Sequence, residues 1–153
     1  MQRYCIGKSD LLLRFFWIRY PVSDNLSVMK ISINDSEPYI TKDGSLIIEL
    51  IHPCIHAGAK MSLAMATVEP GSTTVLHIHA GTQEIYHILE GYGRMTLGGE
   101  RFEVNSGDSI LILAGTPHCI ENIGLNPLKI LCCCNPPYDH QDTLIMQGGE
   151  DEK

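Results

Sequence analysis

The sequence predicts an all-β fold, an antiparallel sandwich or barrel, and three features of the chain support this. From about residue 39 onward, short runs rich in β-branched and apolar residues follow one another. Turn signals such as Lys42-Asp43-Gly44, Glu69-Pro70-Gly71 and Asn105-Ser106-Gly107 separate these runs. No long segment has a convincing helical period. The predicted strands lie within 45–51, 61–68, 73–79, 84–91, 93–99, 100–104, 109–114, 118–122 and 127–134.

One hairpin can be predicted in detail. Gly98 and Gly99 separate two alternating runs, and a two-residue primed turn needs a positive φ that glycine adopts without steric penalty. Alternation then puts two apolar side chains of each strand on one face. The predicted core residues of this hairpin are Met95, Leu97, Phe102 and Val104.

Length and composition favour one ordinary globular domain. The chain has 153 residues, of which 44% are hydrophobic and 19% charged. Its formal net charge is −7, and its basic residues form no run, which argues against a nucleic-acid partner.

The six cysteines favour a reducing, cytoplasmic location over a disulfide framework. Cys132, Cys133 and Cys134 are consecutive, so neighbouring side chains would face opposite ways along a strand. No CxxC motif is present, which argues against a thiolate zinc site.

The first part of the chain is predicted to be an N-terminal extension, which could add a strand to the fold, form part of a subunit interface or lie outside the core fold. Leu11–Tyr20 is hydrophobic but is interrupted by Arg14 and Arg19, and it is shorter than the roughly 20 apolar residues of a membrane span. We therefore expect no membrane partner. Met29 resembles a natural start, so residues 1–28 are candidates for a segment outside the core fold. The predicted organisation is an N-terminal extension (1–38), a barrel (39–135) and a C-terminal extension with a tail (136–153).

Four residues suggest a metal site. His77 and His79 are two apart on a predicted strand and point to one face. Pairing of this strand with the return strand after Gly81 would bring Glu84 beside them. His118 follows Pro117 at a later strand, and periodicity alone does not place it at the same site. Imidazole and carboxylate ligands without thiolate suit Fe(II), Mn(II), Ni(II), Co(II) or Zn(II).

These residues resemble the two motifs of the cupin superfamily. The first motif, a glycine, HxH, a glutamate and a second glycine, is matched at every position by Gly71, His77, His79, Glu84 and Gly91. The second motif is matched by Gly107, Gly115, His118 and Asn122, but Leu113 replaces its proline. That departure concerns the loop before the strand and leaves the four ligand positions intact.

The resemblance implies a double-stranded β-helix, a jelly-roll barrel with one open end. It also implies one divalent transition metal near that end, held by His77, His79, Glu84 and His118. Four protein ligands on an octahedral ion would leave two positions for water, substrate or dioxygen. The resemblance further implies a homodimer formed through sheet or edge-strand contacts.

Several neighbouring residues are further candidates for the same site. Tyr86 is the candidate catalytic hydroxyl near the metal, with a core role as the alternative. The strand 61–68 has a small face, Ser62, Ala64 and Ala66, which would leave room for a ligand if it pointed inward, and a larger Met and Leu face. His87 is expected on the opposite face from Glu84. His140 and Asp142 could border the barrel mouth, but a solvated terminal extension is the favoured interpretation.

The site favours an enzyme that acts on a small oxygenated molecule through the metal. Isomerase, lyase or decarboxylase, and dioxygenase reactions are all compatible with these ligands. The alternative is a non-catalytic module that binds or senses a small carboxylate or sugar, because the same fold can serve either purpose.

Overall fold

The computed structural model describes residues 30–146, which form two antiparallel sheets and one short 3-10 helix, Ile33–Asp35. The strands are β1 (Tyr39–Ile40), β2 (Leu46–Ile51), β3 (Ser62–Val68), β4 (His77–His79), β5 (Gln83–Glu90), β6 (Tyr92–Leu97), β7 (Glu100–Asn105), β8 (Ser109–Ile112), β9 (His118–Asn122), β10 (Leu128–Asn135) and β11 (Thr143–Ile145). The predicted all-β fold is confirmed. Leu11–Tyr20 lies outside the described residues.

The strand order is that of a jelly roll. One sheet has six strands in the order β1-β2-β3-β10-β5-β8, and the other has five in the order β11-β4-β9-β6-β7. The expected double-stranded β-helix is therefore confirmed. The predicted C-terminal extension contributes β11, which pairs with β4 and forms one edge of the five-stranded sheet.

Apolar residues from both sheets meet in the space between them. Ile88 and Ile130 are cross-strand partners in the six-stranded sheet, and Met95 and Ile120 are partners in the other. All four are at most 1% exposed. Burial of aliphatic side chains of this size stabilises the fold by roughly 1.5–3 kcal/mol each. This core closes one end of the barrel and leaves the other end open for a pocket.

The predicted hairpin forms, with one error in its core. β6 and β7 pair across Gly98, whose φ is +62°, and Met95 and Val104 are buried. Phe102, however, is 37% exposed, so its predicted place in the core is wrong. β7 is the edge strand of the five-stranded sheet, and Phe102 has a neighbouring strand on one side alone.

The connection between β4 and β5 differs from the expected hairpin. β4 pairs with β9 and β11, whereas β5 pairs with β8 and β10 in the other sheet. The turn at Ala80–Thr82 therefore carries the chain from one sheet to the opposite one. Glu84 approaches the histidines across the space between the sheets, and the prediction that strand pairing brings it there is wrong.

Apolar residues on the outer surface concern the expected homodimer, and the helices concern the expected absence of a membrane partner. Ile85 and Leu111 are neighbours on β5 and β8, and both side chains are exposed. The structure contains one chain, and the homodimer stays a prediction. Among residues 30–146, we find no helix that combines the length and the apolar character needed to cross a membrane.

Candidate metal centre

Three histidines meet at the open end of the barrel, on the inner face of the five-stranded sheet. His77 and His79 are the ends of β4, and His118 begins β9, where it is the cross-strand partner of His77. One ring nitrogen of each lies within 4.8 Å of one from each of the others. All three side chains are buried. The later motif, which periodicity could not place, thus reaches the same site.

Backbone carbonyls fix the orientation of two of these rings. His77 Nδ1 donates to the carbonyl of Val75 at 2.7 Å, and His118 Nδ1 donates to the carbonyl of Thr116 at 2.9 Å. A carbonyl accepts only, so Nδ1 must carry the proton in each ring. The lone pair of a neutral ring is then on Nε2, the atom left for a metal.

His79 is oriented in the same sense by a side chain of β11. Its Nδ1 lies 3.1 Å from Thr143 Oγ1, and the Thr143 hydroxyl donates to the carbonyl of Asp139 at 3.2 Å. Since the hydroxyl proton is used there, Oγ1 accepts from Nδ1. The three imidazoles are therefore held as Nδ1–H tautomers by partners outside the cluster, as is usual for metal-binding histidines.

Glu84 completes the cluster from the opposite sheet. Its Oε2 lies 3.1 Å from His79 Nε2 and 3.5 Å from His118 Nε2. His118 Nε2 is buried and has no hydrogen-bond partner of acceptable geometry. Lone pairs and a carboxylate oxygen thus face one another away from water. A cation, whether a proton or a metal ion, is needed to make this arrangement favourable.

The ionisation states of the cluster also indicate that a cation is needed there. Burial alone would raise the pKa of Glu84, but the adjacent rings of His118 and His79 outweigh burial and lower it to about 2. The pKa of His77 is lowered because burial, and then repulsion from His118, disfavour its charged form. The cluster at neutral pH therefore combines an ionised carboxylate with a His77 imidazole whose charged form is disfavoured. This donor set fits a divalent first-row metal ion.

A cavity opens beside this cluster. Its empty volume is about 490 Å³, open solvent at the mouth included, and Glu84, His77 and His79 form part of its wall. Small side chains, Ser62 and Ala64 among them, line the wall on β3. The small face of β3 is therefore the inner one, which settles the alternative left open by the sequence. A ligand in this cavity would contact small side chains on β3 and the polar groups of the cluster.

Tyr86 lines the same cavity, two residues along β5 from Glu84. Its side chain is 5% exposed, and its ring centroid lies 6.0 Å from that of His118. Burial raises the pKa of its phenol well above the ordinary value, and the nearby charge of Glu84 adds to this. The hydroxyl is therefore protonated at neutral pH.

Cys134 and His87 lie on opposite faces of the six-stranded sheet, as strand alternation predicts. Cys134 Sγ donates to Glu84 Oε1 at 3.4 Å, a weak contact from the neighbouring strand β10. His87 lies on the outer side of β5 and contacts Ser109 Oγ, at 2.9 Å from Nδ1, as expected from alternation.

Asp142 has a larger role than the favoured interpretation gave it. Its two carboxylate oxygens accept from the backbone N–H groups of Gly81, at 2.8 Å, and Thr82, at 3.0 Å. It thereby fixes the turn that joins β4 to β5. The carbonyl of His140 accepts from the side chain of Lys42. The segment before β11 is thus bound to the barrel mouth, and its interpretation as a purely solvated extension is wrong.

Sequence reasoning missed several residues of the site, among them Thr143, Tyr138 and Glu49. All three line the cavity. Glu49 could have been found, because it is the lone charged residue in the apolar run 45–51 and alternates with Ile47, which is buried. Thr143 and Tyr138 follow the predicted barrel, and nothing local in the sequence connects them with the motifs.

The motif glycines and Leu113 have backbone roles. A Cβ on Gly91, whose φ is +97°, would lie 2.9 Å from Leu128 Cα, so a side chain there would collide with β10. Gly115 N donates to the carbonyl of His79 at 2.7 Å and thus joins the second motif to β4. Leu113 is exposed in the turn before β9, and its carbonyl accepts from Thr116 N at 3.0 Å. Its replacement of proline does not disturb the site.

Comparison with known proteins agrees with the fold and the motifs. The family model described as the Cupin domain matches residues 64–134. An uncharacterized protein of Methanocaldococcus jannaschii is 57% identical over 122 residues, which cover 80% of this chain and 98% of that protein. This similarity assigns no activity.

Two further similarities concern enzymes. A mannose-1-phosphate guanylyltransferase of Escherichia coli is 34% identical over 79 residues, which cover 52% of this chain but 17% of the enzyme. The crystal structure of a predicted oxalate decarboxylase from Thermotoga maritima superposes with a TM-score of 0.62 and 28% identity, covering 71% of this chain and 99% of that one. The chain therefore corresponds to a small part of the first enzyme and to nearly all of the second.

Proposed function

Because the chain belongs to the cupin superfamily, we propose that it is a metal-dependent enzyme acting on a small oxygenated molecule of the carboxylate or sugar type. The observation that carries this proposal is the convergence of three imidazoles and one carboxylate, of which His77, His79 and Glu84 line an open cavity. In a cluster with a purely structural role, each hydrogen-bond acceptor would be paired with a donor, and acceptors would not face one another.

His77, His79, Glu84 and His118 would hold one divalent transition metal: Fe, Mn, Ni, Co or Zn. When bound, such an ion supplies a Lewis acid for a carbonyl or carboxylate, lowers the pKa of water, or gives dioxygen a binding site. The similarity to a predicted oxalate decarboxylase favours a carboxylate-containing substrate, and that to guanylyltransferases favours a sugar. Isomerase, decarboxylase and dioxygenase reactions stay open.

The residues around the ligands support chemistry in a partly dry site. Tyr86 presents a protonated phenol to the cavity and is our candidate hydrogen-bond donor to the substrate. The small side chains of Ser62 and Ala64 on β3 line the cavity, while His118 is fully buried behind its wall. Polar interactions are stronger in such surroundings than in bulk water.

The test is to identify the metal first and the reaction afterwards. Elemental analysis of the untagged protein should find about one divalent transition ion per chain, and protein loaded with that ion should be assayed with small carboxylates, sugar phosphates and, for iron, dioxygen uptake. Turnover that disappears with the metal would support the enzyme. Binding of a carboxylate without turnover, under every metal tried, would support the alternative of a non-catalytic binding or sensor module. Protein that takes up no ion would refute both.

The acid dependence of metal retention offers a separate check. Each imidazole must be neutral to bind a metal, so protons compete with the ion as pH falls through the histidine pKa values. Burial lowers the pKa of His77 from 6.5, so retention should persist somewhat below pH 6.5 and fail in more acidic buffer. Metal content measured after dialysis across this range should fall, and full occupancy at about pH 4 would contradict imidazole ligation.

We infer a reducing compartment, the cytoplasm, for this protein. The five cysteines of the described part, Cys54, Cys119, Cys132, Cys133 and Cys134, are free thiols. Localisation of a tagged full-length chain in its own cells tests this inference, and an exported protein would overturn it.

A further inference from the structure

We propose that Glu49, on β2, is a second anchor of the pocket, which binds a hydroxyl group of the substrate apart from the strands that carry the metal centre. The corresponding substrate class is a short polyhydroxylated acid, with its acid end at the histidine cluster and a hydroxyl at Glu49. This inference rests on the proposed function, since it takes the cluster as the site that holds the acid end.

The position of Glu49 follows from the sheet register. Glu49 on β2 is the cross-strand partner of Ala64 on β3, Ala64 is the partner of Cys132 on β10, and Cys132 is the partner of Tyr86 on β5. Cross-strand partners share a face of the sheet, and all four line the cavity. Glu49 thus faces the same space as Tyr86, with two small side chains between them.

One oxygen of Glu49 is already used, and the other is not. Oε2 accepts from the Tyr39 hydroxyl at 3.0 Å, which fixes the orientation of the carboxyl group. Oε1 is buried and has no hydrogen-bond partner. A buried carboxylate oxygen without a partner is costly, and a ligand that brings a donor would remove this cost. A hydroxyl group supplies such a donor.

The chemistry around Glu49 favours a neutral hydroxyl over a cationic group. Burial raises the pKa of Glu49, although the charge of His52 and the Tyr39 hydroxyl oppose this in part. A carboxyl group with a raised pKa spends more time neutral and can either donate to or accept from a hydroxyl. Tyr138, whose pKa burial raises to about 12, adds another neutral phenol to the same cavity.

The spacing of the two anchors sets the size of the ligand. Two strands, β3 and β10, lie between β2 and β5, so Glu49 and Tyr86, which share one cross-strand row, are three strand spacings apart, roughly 14 Å along the sheet. Glu84 lies two residues further along β5, and both carboxylates line the cavity. A molecule that contacts both anchors therefore needs a chain of about six carbons, whereas a two-carbon acid can contact one anchor alone.

The experiment compares three probes on protein loaded with its identified metal. Gluconate offers an acid end and distal hydroxyls, 2-hydroxyhexanoate has the same acid end and chain length without distal hydroxyls, and glycolate is too short to reach Glu49. Calorimetry should find gluconate bound about tenfold more tightly than 2-hydroxyhexanoate, the value of one hydrogen bond to a carboxyl group. Glu49→Leu should abolish that difference and leave glycolate affinity within about twofold. Glu49→Gln, which keeps one acceptor, should recover part of the preference.

Controls separate this inference from the proposed function. Glu100→Gln changes an exposed carboxylate outside the pocket and should alter none of the affinities. Tyr39→Phe, which leaves Glu49 in place without its orienting partner, should reduce the gluconate preference by about threefold. Equal binding of gluconate and 2-hydroxyhexanoate, failure of both to bind, or an equal loss for glycolate in Glu49→Leu would overturn the inference. Metal content measured in each sample tests the proposed function independently, since wild-type protein without metal would refute that function.

Discussion

The two walls of the pocket contribute different chemistry and are held in different ways. The five-stranded sheet supplies three neutral imidazoles, each fixed through Nδ1 by a carbonyl or hydroxyl oxygen. The six-stranded sheet supplies acids, thiols and phenol groups. Within this sheet, Glu84 has one weak contact, with Cys134. The histidines are therefore oriented before any ion arrives, whereas Glu84 is oriented mainly by the histidines.

This difference indicates how metal binding and ligand selection are divided. Orientation of the imidazoles should determine whether an ion is held, because the geometry of the ligands is set there. The opposite wall should determine which molecule is bound, because Glu49, Tyr86 and the small residues between them shape the cavity. Changes in the two walls should thus affect different measurements.

The largest expected effect follows from loss of a ligand on the histidine wall. His118→Ala removes the fully buried ring that lies 4.1 Å, between centroids, from His77. We expect the affinity for the metal to fall by at least about a hundredfold, because the site loses a ligand and Glu84 loses one of its two histidine contacts. Metal content after dialysis against a chelator measures this.

The matched control is His87→Ala, on the outer side of β5. It should retain the metal, and circular dichroism should confirm that both variants are folded. Equal retention by His118→Ala and wild type would mean that the histidine wall does not hold the ion.

A smaller effect is expected from loss of orientation without loss of a ligand. Thr143→Val keeps the shape of the side chain but removes the oxygen that accepts from His79 Nδ1. We expect metal affinity to fall by about tenfold, at the lower end of the effects seen when such partners are removed. Thr143→Ser should restore most of the affinity in the same chelator competition. If Thr143→Val binds the metal as tightly as wild type, the hydroxyl does not orient His79.

Much of the metal-binding cluster could be predicted from the sequence. Alternation puts His77 and His79 on one face of a strand, and the motif spacing identifies His118 and Glu84. These are local signals, and the structure brings all four side chains together. The strand pattern also predicts the all-β fold, because the period of two and the glycine turns depend on short segments alone.

The rest depends on contacts between distant parts of the chain. Which sheet a strand joins is not encoded in its own periodicity, so Glu84 was expected beside the histidines by pairing although it reaches them from the opposite sheet. Thr143 lies 64 residues from His79 in sequence, and no local pattern connects them. Phe102 alternates like a core residue, and its exposure results from the edge position of β7.

The smallest expected effect concerns the link between the two walls. Asp142 holds the turn at Gly81 and Thr82, through which the chain passes from β4 in one sheet to β5 in the other. Asp142→Asn keeps one acceptor oxygen and loses the second, so the free energy of unfolding should fall by about 1 kcal/mol, as measured by urea denaturation. Metal affinity should change by less than about threefold, because every ligand and every Nδ1 partner stays in place. Asp139→Asn is the control, since that side chain lies in the same segment and contacts Gln141 N but not the turn. If Asp142→Asn instead lost the metal as completely as His118→Ala, the two walls would not be separately oriented, and the turn itself would determine the geometry of the cluster.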